Sequence, residues 1–411
     1  MRARAAGFAV LVAATMAVAC QFLANIEQLH AGDLADATVE ASVHDDGDTG
    51  DADDGSATGC LGPKVPDVPA TGGPGATPLV FVVQKFDFGF GPGHVDGGCP
   101  LAFDLDNIDT GHVAPGADAR APESCKTHKG SPPHIDDPGG RDNSFQRMIE
   151  TESALVPALV GDADTYDPNR RIASGGLNLL FQVLDYNGAA DDFSVQVTIL
   201  VTSGLMPQDA GEAGVVTIVP TWDAGEAWSV DPISIQSSND LAFVGKYRST
   251  EAYVSRHVLV AKFSSAPLPH SSPTAALLLE GSSSLLVARI AREGRSYRLD
   301  DGHLVGRLRT SEILTKFELL TDPTDTNRRI CNSGTAVRGI FRSTVCPSAD
   351  IAQTADNDKK GAPCDAVSVA VGFSAVAAQI GGVYARVGRD KACDFPDGAL
   401  YTDECDDDFD Y

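Results

Sequence analysis

The chain has 411 residues, of which 57 are acidic and 31 basic, so its formal net charge is −26. A surface this acidic repels nucleic acid and anionic lipid headgroups, which excludes both as expected partners. The length suffices for one large domain or two smaller ones. Acidic residues concentrate in two runs, at 45–54 and at 403–410. Such blocks of like charge usually stay solvated, which predicts a solvated segment near each end of the chain.

The first nineteen residues have the pattern of an export signal. Arg2 and Arg4 precede an apolar stretch at 5–19, which is shorter than the roughly 20 residues that a transmembrane helix needs. The small residues Ala17-Val18-Ala19 stand directly before Cys20. A basic start, a short apolar region and small residues at the cut site predict a cleaved signal peptide.

This arrangement resembles the lipobox of bacterial lipoproteins, in which the cysteine is acylated and becomes the first residue of the mature protein. Ala17 stands where leucine is usual in that family. The resemblance implies a signal peptide at 1–19 and lipidation at Cys20. Because Gln21 rather than aspartate follows the cysteine, it also implies an anchor at the outer membrane or cell surface of a two-membrane cell. The alternative is an ordinary secretory signal cut near Ala19, with Cys20 free or disulfide-bonded.

Four segments are predicted after the signal peptide. Residues 20–77 are rich in Asp, Gly, Ala, Thr and Pro and form an acidic, disordered tether. A β-rich domain at 78–325 follows, then a cysteine-rich segment at 326–400 and an acidic tail at 401–411. This mature chain resembles only uncharacterised surface lipoproteins of Gram-negative bacteria, and that resemblance implies no activity.

The folded part is predicted to begin at Leu79, where a short apolar run continues to Val83. Phe86, Phe88 and Phe90 then alternate with other residues. Since side chains of a strand point to alternate faces, this period of two places the three aromatic rings on one face of a strand.

A hairpin is predicted where apolar-rich segments at 177–186 and 193–201 flank Asn187-Gly188, a strong turn dipeptide. Further strand candidates share runs of aliphatic residues, at 215–219, 257–263, 275–279, 284–291 and 303–308. Short strands separated by Gly, Ser, Pro and Asp favour a mainly β fold, either an antiparallel β-sandwich or a jelly-roll.

Few helices are expected. Apolar residues at near-helical spacing predict one at 143–160, capped by Asp142 or Asn143, and a second that Thr310 or Ser311 would cap. The Ala-rich stretch at 366–380 is compatible with a helix or a buried strand, and it is too short to span a membrane.

The cysteines predict disulfide bonds. The chain has nine, and setting Cys20 aside leaves eight, an even number that suits an exported protein. Local pairing is the simplest expectation: Cys99–Cys125, Cys331–Cys346, and Cys364 with Cys393 or Cys405. The eight candidates are Cys60, Cys99, Cys125, Cys331, Cys346, Cys364, Cys393 and Cys405.

A calcium site is the most distinctive binding hypothesis. Asp104, Asp106, Asn107 and Asp109 place four oxygen donors within six residues, and calcium prefers such ligands. The spacing is not that of an EF-hand. Donors at 136, 137, 142 and 143 could complete the site if a disulfide folds the segment back. The alternative is an acidic turn whose side chains bond to their own backbone.

The two tryptophans, Trp222 and Trp228, lie close to Asp223 and Glu226. Aromatic faces beside carboxylates commonly hold sugars, and glycoside hydrolysis requires paired carboxylates. This pattern predicts a ligand-binding surface at the tryptophans, or catalysis by the two acids. The alternative is that one ring fills the core and the other covers a loop.

Two classes of function remain. The first is a surface lipoprotein with a non-enzymatic binding or structural role, which holds a glycan or a protein partner and is stabilised by calcium. The second is an extracytoplasmic polysaccharide hydrolase. The sequence lacks the G-x-S-x-G, H-E-x-x-H and G-x-x-x-x-G-K-[ST] motifs, but a catalytic triad assembled from distant residues would leave no such motif. Of the two classes, we favour the first.

Overall fold

The computed structural model describes a subset of the chain within one compact unit, Gly59–Tyr411. The described residues are 64–73, 75, 78–89, 101–108, 110, 125–128, 131, 134, 136–137, 140–155, 169–206, 208–209, 215–216, 218–237, 244–271, 276–322, 325–332, 335–358, 361–384 and 405. The predicted signal peptide, Cys20 and most of the predicted tether lie outside them. So do Phe90, Asp109, Cys60, Cys99 and Cys393.

Strands dominate the described residues. They are β1 Leu79–Asp87, β2 Asn178–Leu184, β3 Gln196–Thr202, β4 Gln208–Asp209, β5 Val215–Val216, β6 Ala227–Val230, β7 Ile235–Ser237, β8 Val244–Gly245, β9 Tyr247–Ser255, β10 Val258–Ser271, β11 Ala276–Glu293, β12 Ser296–Arg309, β13 Thr321–Asp322, β14 Asp325–Arg329, β15 Ala366–Ala377 and β16 Gln379–Val383.

The helices are short. They are α1 Ser144–Leu155, α2 Asn169–Ala173, α3 Thr310–Phe317 and α4 Thr335–Val345, together with 3₁₀ turns at Pro232–Ser234, Ile330–Asn332, Cys346–Ser348 and Ala355–Asn357.

Eight strands form a closed antiparallel barrel in the order β1-β15-β12-β11-β10-β9-β3-β2. Each barrel strand is therefore hydrogen-bonded to the barrel strand that follows it in the sequence, and pairing of β15 with β1 closes the sheet. Consecutive pairing is an up-and-down topology, and full closure leaves the barrel without free edges.

The barrel interior is a packed apolar core. Alternate side chains of all eight strands enter one buried cluster, for example Phe81 on β1, Phe181 on β2, Ile199 on β3 and Phe373 on β15. A bulge between Val83 and Lys85 shifts the register of β1. The side chains suit this architecture because eight strands enclose an interior just wide enough for them to fill.

Helices close one end of the barrel. Phe145 and Ile149 of α1, Phe317 of α3 and Phe341 of α4 belong to the same buried cluster as the barrel interior. Helix α3 follows β12 directly, and α1 contacts β15. The core therefore continues from the barrel into the helices.

Two segments cover the outer face of the barrel. Ala102 and Phe103 pack with Val287 and Val305 on one side. On the other side Trp228, on β6, packs with Leu180 and other outward residues of β1 to β3. Strands covered in this way are buried on both faces, which explains the continuous apolar runs in their sequence.

Several sequence predictions about the fold can now be checked. The mainly β character, the short helices and the hairpin of β2 and β3 are confirmed. The sandwich or jelly-roll is wrong, because the sheet closes on itself. The ambiguous stretch at 366–380 forms β15 and the start of β16. Since β15 is a barrel strand, the barrel extends past residue 325, where the sequence placed the end of the β domain.

The predicted helix caps are also wrong. The side chain of Asp142 accepts a hydrogen bond from Leu105, and the side-chain oxygen of Asn143 accepts one from Ala370, so neither caps α1. Thr310 lies inside α3, whose N-cap is Arg309 without a side-chain hydrogen bond. In both cases a tertiary contact or the preceding strand determines how the helix begins.

Candidate metal centre

Three aspartates from two separate parts of the chain converge on the outer face of the barrel. Asp104 and Asp106 belong to the covering segment at 101–108, and Asp142 lies just before α1. One carboxylate oxygen of each lies within 4.8 Å of the other two. Asp142 is 2% exposed and Asp106 is 5% exposed. We call Asp104, Asp106 and Asp142 the acidic site.

Hydrogen bonds between backbone and side-chain groups hold the two parts of the acidic site together. The Leu105 N–H donates to Asp142 Oδ2 at 2.6 Å, and the Asp142 N–H donates to the carbonyl of Phe103 at 3.2 Å. Arg141 donates from Nη1 to the carbonyl of Ala102 at 2.8 Å. The segment that carries Asp104 and Asp106 is therefore fixed to the residues preceding α1.

Two further buried aspartates lie close enough to act on the acidic site. Asp136 Oδ2 accepts hydrogen bonds from the backbone and the hydroxyl of Thr110, both at 2.6 Å. Asp350 Oδ1 accepts a hydrogen bond from the Ser368 N–H at 2.8 Å. These donors stabilise the charged form of each carboxylate, whereas burial disfavours it.

The electrostatics of this region are unbalanced. Burial, followed by the neighbouring charges of Asp350, Asp106 and Asp136, raises the pKa of Asp142 to about 10. Burial likewise raises the pKa of Asp136 and that of Asp350 to about 6, although Arg147 lowers the latter. Carboxylates this close and this buried cannot all be ionised unless a positive charge joins them.

The donor set suits a hard divalent cation. Calcium takes 6–8 oxygen ligands and accepts carboxylates in one-oxygen or two-oxygen binding. Asp104 Oδ1 is buried and accepts no hydrogen bond from the part of the chain that the structure describes. Three carboxylates can supply half or more of a calcium coordination shell, with water or carbonyl oxygens supplying the rest.

The structure separates the residues that the sequence proposed as ligands. Asp104, Asp106 and Asp142 come together, whereas Asn107 is exposed and has a positive φ of 58°. The amide oxygen of Asn143 accepts a hydrogen bond from the Ala370 N–H, and the backbone of Asp137 exchanges hydrogen bonds with that of Arg141. Asp109 lies outside the described residues. Sequence reasoning missed Asp350, because nothing local connects it to the segment at 101–108.

A disulfide fastens the region, but it is not the predicted one. Cys125 is bonded to Cys364, at a sequence separation of 239, and its sulfur lies 3.3 Å from the carbonyl oxygen of Asp350. Two backbone hydrogen bonds join the segments on either side of the bridge. The Lys126 N–H donates to the carbonyl of Ala362, and the Cys364 N–H donates to the carbonyl of Lys126, both at 2.8 Å.

The predicted local cysteine pairs are therefore wrong. Cys346 is bonded to Cys405, at a sequence separation of 59, rather than to Cys331. Cys331 is also disulfide-bonded. Pairing follows distance in the folded barrel, and both described bridges join segments that are remote in the chain.

The second predicted site, the segment at 221–228, has a different character. Trp228 is 0% exposed within the layer that covers the barrel, so a ligand cannot reach its ring. Trp222 is partly exposed and stacks on Trp228, with ring centroids 5.6 Å apart. Only Trp222 is placed where it could contact a ligand. We call this segment the tryptophan turn.

The carboxylates of the tryptophan turn are used by its own backbone. Glu226 accepts three hydrogen bonds, from the N–H and hydroxyl of Thr221 at 2.6 and 2.8 Å and from the N–H of Trp222 at 3.0 Å. Asp223 accepts one from Gly225 at 3.0 Å. These bonds hold Trp222 at a positive φ of 64°. The geometry thus gives Asp223 and Glu226 a role in the turn and none as a catalytic pair.

Comparisons with protein-family models, with curated proteins and with solved structures found no match to this chain. Among the described residues, no helix combines the length and the apolar character needed to cross a membrane.

Proposed function

We propose that this chain is an exported, lipid-anchored surface protein with a non-enzymatic binding or structural role, and that calcium bound at the acidic site stabilises its barrel domain. The observation that carries the proposal is the convergence of Asp104, Asp106 and Asp142 within 4.8 Å on a buried outer face of the barrel. Only a cation relieves the repulsion among these carboxylates without removing their charge.

Export is supported by two features. The segment before Cys20 resembles a lipobox, and the described disulfides, Cys125–Cys364 and Cys346–Cys405, are of the kind that persists in oxidising compartments. Mass spectrometry of protein from its host tests this part. We expect an acylated Cys20 at the N-terminus, and an intact Met1 would contradict it.

The calcium part is tested by titration of the mature chain with its disulfides intact, after treatment with a chelator. Sites in extracellular modules bind calcium with Kd values of about 10⁻⁴–10⁻³ M. We expect saturable binding in this range and a higher unfolding temperature. An absence of both effects at about 10⁻² M calcium, tenfold above the upper end of that range, would overturn the proposal.

The partner of the surface protein is proposed to be a glycan held at Trp222. The support is that three hydrogen bonds from the turn to Glu226 fix the Trp222 backbone and that its ring stacks on a buried second ring. A glycan array compares the wild type with Trp222→Ala, and Phe193→Ala is the control because Phe193 is another exposed aromatic residue. Loss of binding in the Trp222 variant alone is expected.

A further inference from the structure

Arg307 is a buried cation beside the acidic site. It lies on β12 and is 1% exposed. Leu304 and Leu308 of the same strand enter the barrel core, so Arg307 faces outward, beneath the segment at 101–108. A guanidinium buried to this extent needs fixed partners for its charge and its N–H groups.

Arg307 has three such partners. Nη1 donates to the carbonyl of Ala352 at 2.6 Å, and Nη2 donates to the carbonyl of Leu105 at 2.8 Å. Nη2 also lies 2.6 Å from Asp358 Oδ2. Asp358 in turn accepts a hydrogen bond from the Ala352 N–H at 3.0 Å. The guanidinium charge is therefore matched by Asp358, outside the acidic site.

The contact with Leu105 links Arg307 to the proposed ligands. Leu105 stands between Asp104 and Asp106, and its N–H donates to Asp142 Oδ2 at 2.6 Å. Both polar backbone groups of Leu105 are thus occupied, one by the barrel wall and one by a proposed ligand. Because the two peptide units of Leu105 join it to Asp104 and Asp106, fixing them limits the directions in which those side chains can point.

We propose that Arg307 is a positioning residue for the acidic site: it orients Asp104 and Asp106 toward Asp142 before a cation binds. The proposal rests on the proposed calcium site. The positioning role differs from a purely structural one in its effect on calcium affinity, because a preformed site binds a cation more tightly than one that must be ordered on binding.

The test compares calcium titrations of the wild type, Arg307→Met and Arg298→Met. Arg298 is the matched control, since it lies on the same strand and pairs with Asp300 at the surface. We expect the Kd of the Arg307 variant to rise at least tenfold and that of the Arg298 variant to stay within twofold. An unchanged Kd in a folded Arg307 variant, with only its calcium-free unfolding temperature lowered, would overturn the proposal.

A second measurement uses the wild type alone and remains informative if the Arg307 variant does not fold. In hydrogen exchange, we expect the Leu105 amide to be protected without calcium and to change little when calcium is added. Fast exchange without calcium that slows on its addition would overturn the positioning role. A wild type that binds no calcium refutes the proposed function instead, so the two failures are distinguishable.

Discussion

The acidic site and the tryptophan turn both place carboxylates on the outer face of the barrel, yet their oxygen atoms have different surroundings. Glu226 of the tryptophan turn accepts three hydrogen bonds from its own turn. At the acidic site, Asp142 accepts one, and burial together with the neighbouring carboxylates raises its pKa to about 10. The comparison teaches that the number of acidic residues does not define a cation site. For the proposed calcium site, we expect the decisive feature to be whether N–H donors already occupy the oxygen atoms.

Glu152 on α1 provides a third environment for a carboxylate. It is 0% exposed, and neither of its side-chain oxygens accepts a hydrogen bond from another described residue. Burial alone raises its pKa well above the ordinary value of 4.5. Three environments can therefore be compared: Glu226 is hydrogen-bonded by its own turn, Asp142 is repelled by neighbouring carboxylates, and Glu152 is buried away from the other charges that the structure describes. We expect each to respond differently to mutation.

The largest effect is expected from removing the Cys125–Cys364 bridge, which contacts Asp350 beside the acidic site. Replacing Cys125 and Cys364 by serine should lower the free energy of unfolding by about 2–5 kcal/mol, the usual cost of losing a native disulfide. Calcium affinity should fall as well, because the bridge contacts Asp350. Denaturant unfolding and calcium titration measure the two effects.

The matched control is the other described bridge. Replacing Cys346 and Cys405 by serine should also reduce stability, while the calcium Kd stays unchanged, because Cys346 packs against the core at the helical end of the barrel. An equal loss of calcium affinity in both double variants would show that general destabilisation, and not the bridge to Asp350, affects the site.

The next effect comes from the acidic site itself. Asp142→Asn keeps an oxygen that can accept the Leu105 hydrogen bond but removes the charge. The variant should fold and lose its response to calcium, which at about 100 times the Kd is worth about 2.7 kcal/mol of stability in the wild type. Thermal unfolding with and without calcium measures this. Asp356→Asn, at an exposed position, should respond like the wild type.

The isolated carboxylate should produce a pH-dependent effect on stability, whose size is set by the difference between its folded and unfolded pKa values. Because burial raises the pKa of Glu152, the folded chain retains a proton that the unfolded chain releases above its ordinary pKa of 4.5. The stability that comes from keeping Glu152 protonated is thus fully present below pH 4.5 and is lost as the pH rises through the pKa of the folded state.

Glu152→Met should make this decline smaller, and the raised pKa values of Asp136, Asp142 and Asp350 account for the decline that is left. Free energies of unfolding at pH 5 and pH 8 measure it, in the presence of a chelator so that calcium does not contribute. A variant that loses stability between the two pH values as steeply as the wild type would exclude Glu152 as the cause.

The smallest effect is expected at the tryptophan turn. Glu226→Gln leaves one acceptor oxygen in place of two, so at least one bond to Thr221 or Trp222 is lost, at a cost of about 1 kcal/mol. Trp222 should become more exposed, which its fluorescence reports, and the calcium Kd should not change. A weakened calcium affinity would contradict the separation of the two sites.

Some features could be predicted from short stretches of sequence. The hairpin of β2 and β3 follows from a turn dipeptide between two apolar runs, and it is observed in an antiparallel register from Asn178↔Thr202 to Leu184↔Gln196. The acidic motif around Asp104 and Asp106 was recognisable for the same reason, because its donors are neighbours in the chain. Nothing in the local sequence pointed to Asp350, or to the contact of Arg307 with the carbonyl of Leu105.

The amino-acid sequence alone was therefore enough for the acidic character, the mainly β fold and the identity of the disulfide-forming residues among those described, whereas the export-type N-terminus stays a prediction. Closure of the barrel through β1 and β15, the Cys125–Cys364 bridge and the meeting of Asp104 with Asp142 emerged only in the folded chain. The physical reason is range. Turns and strand periodicity depend on neighbours within a few residues, whereas these contacts join distant segments through the packing of one barrel surface.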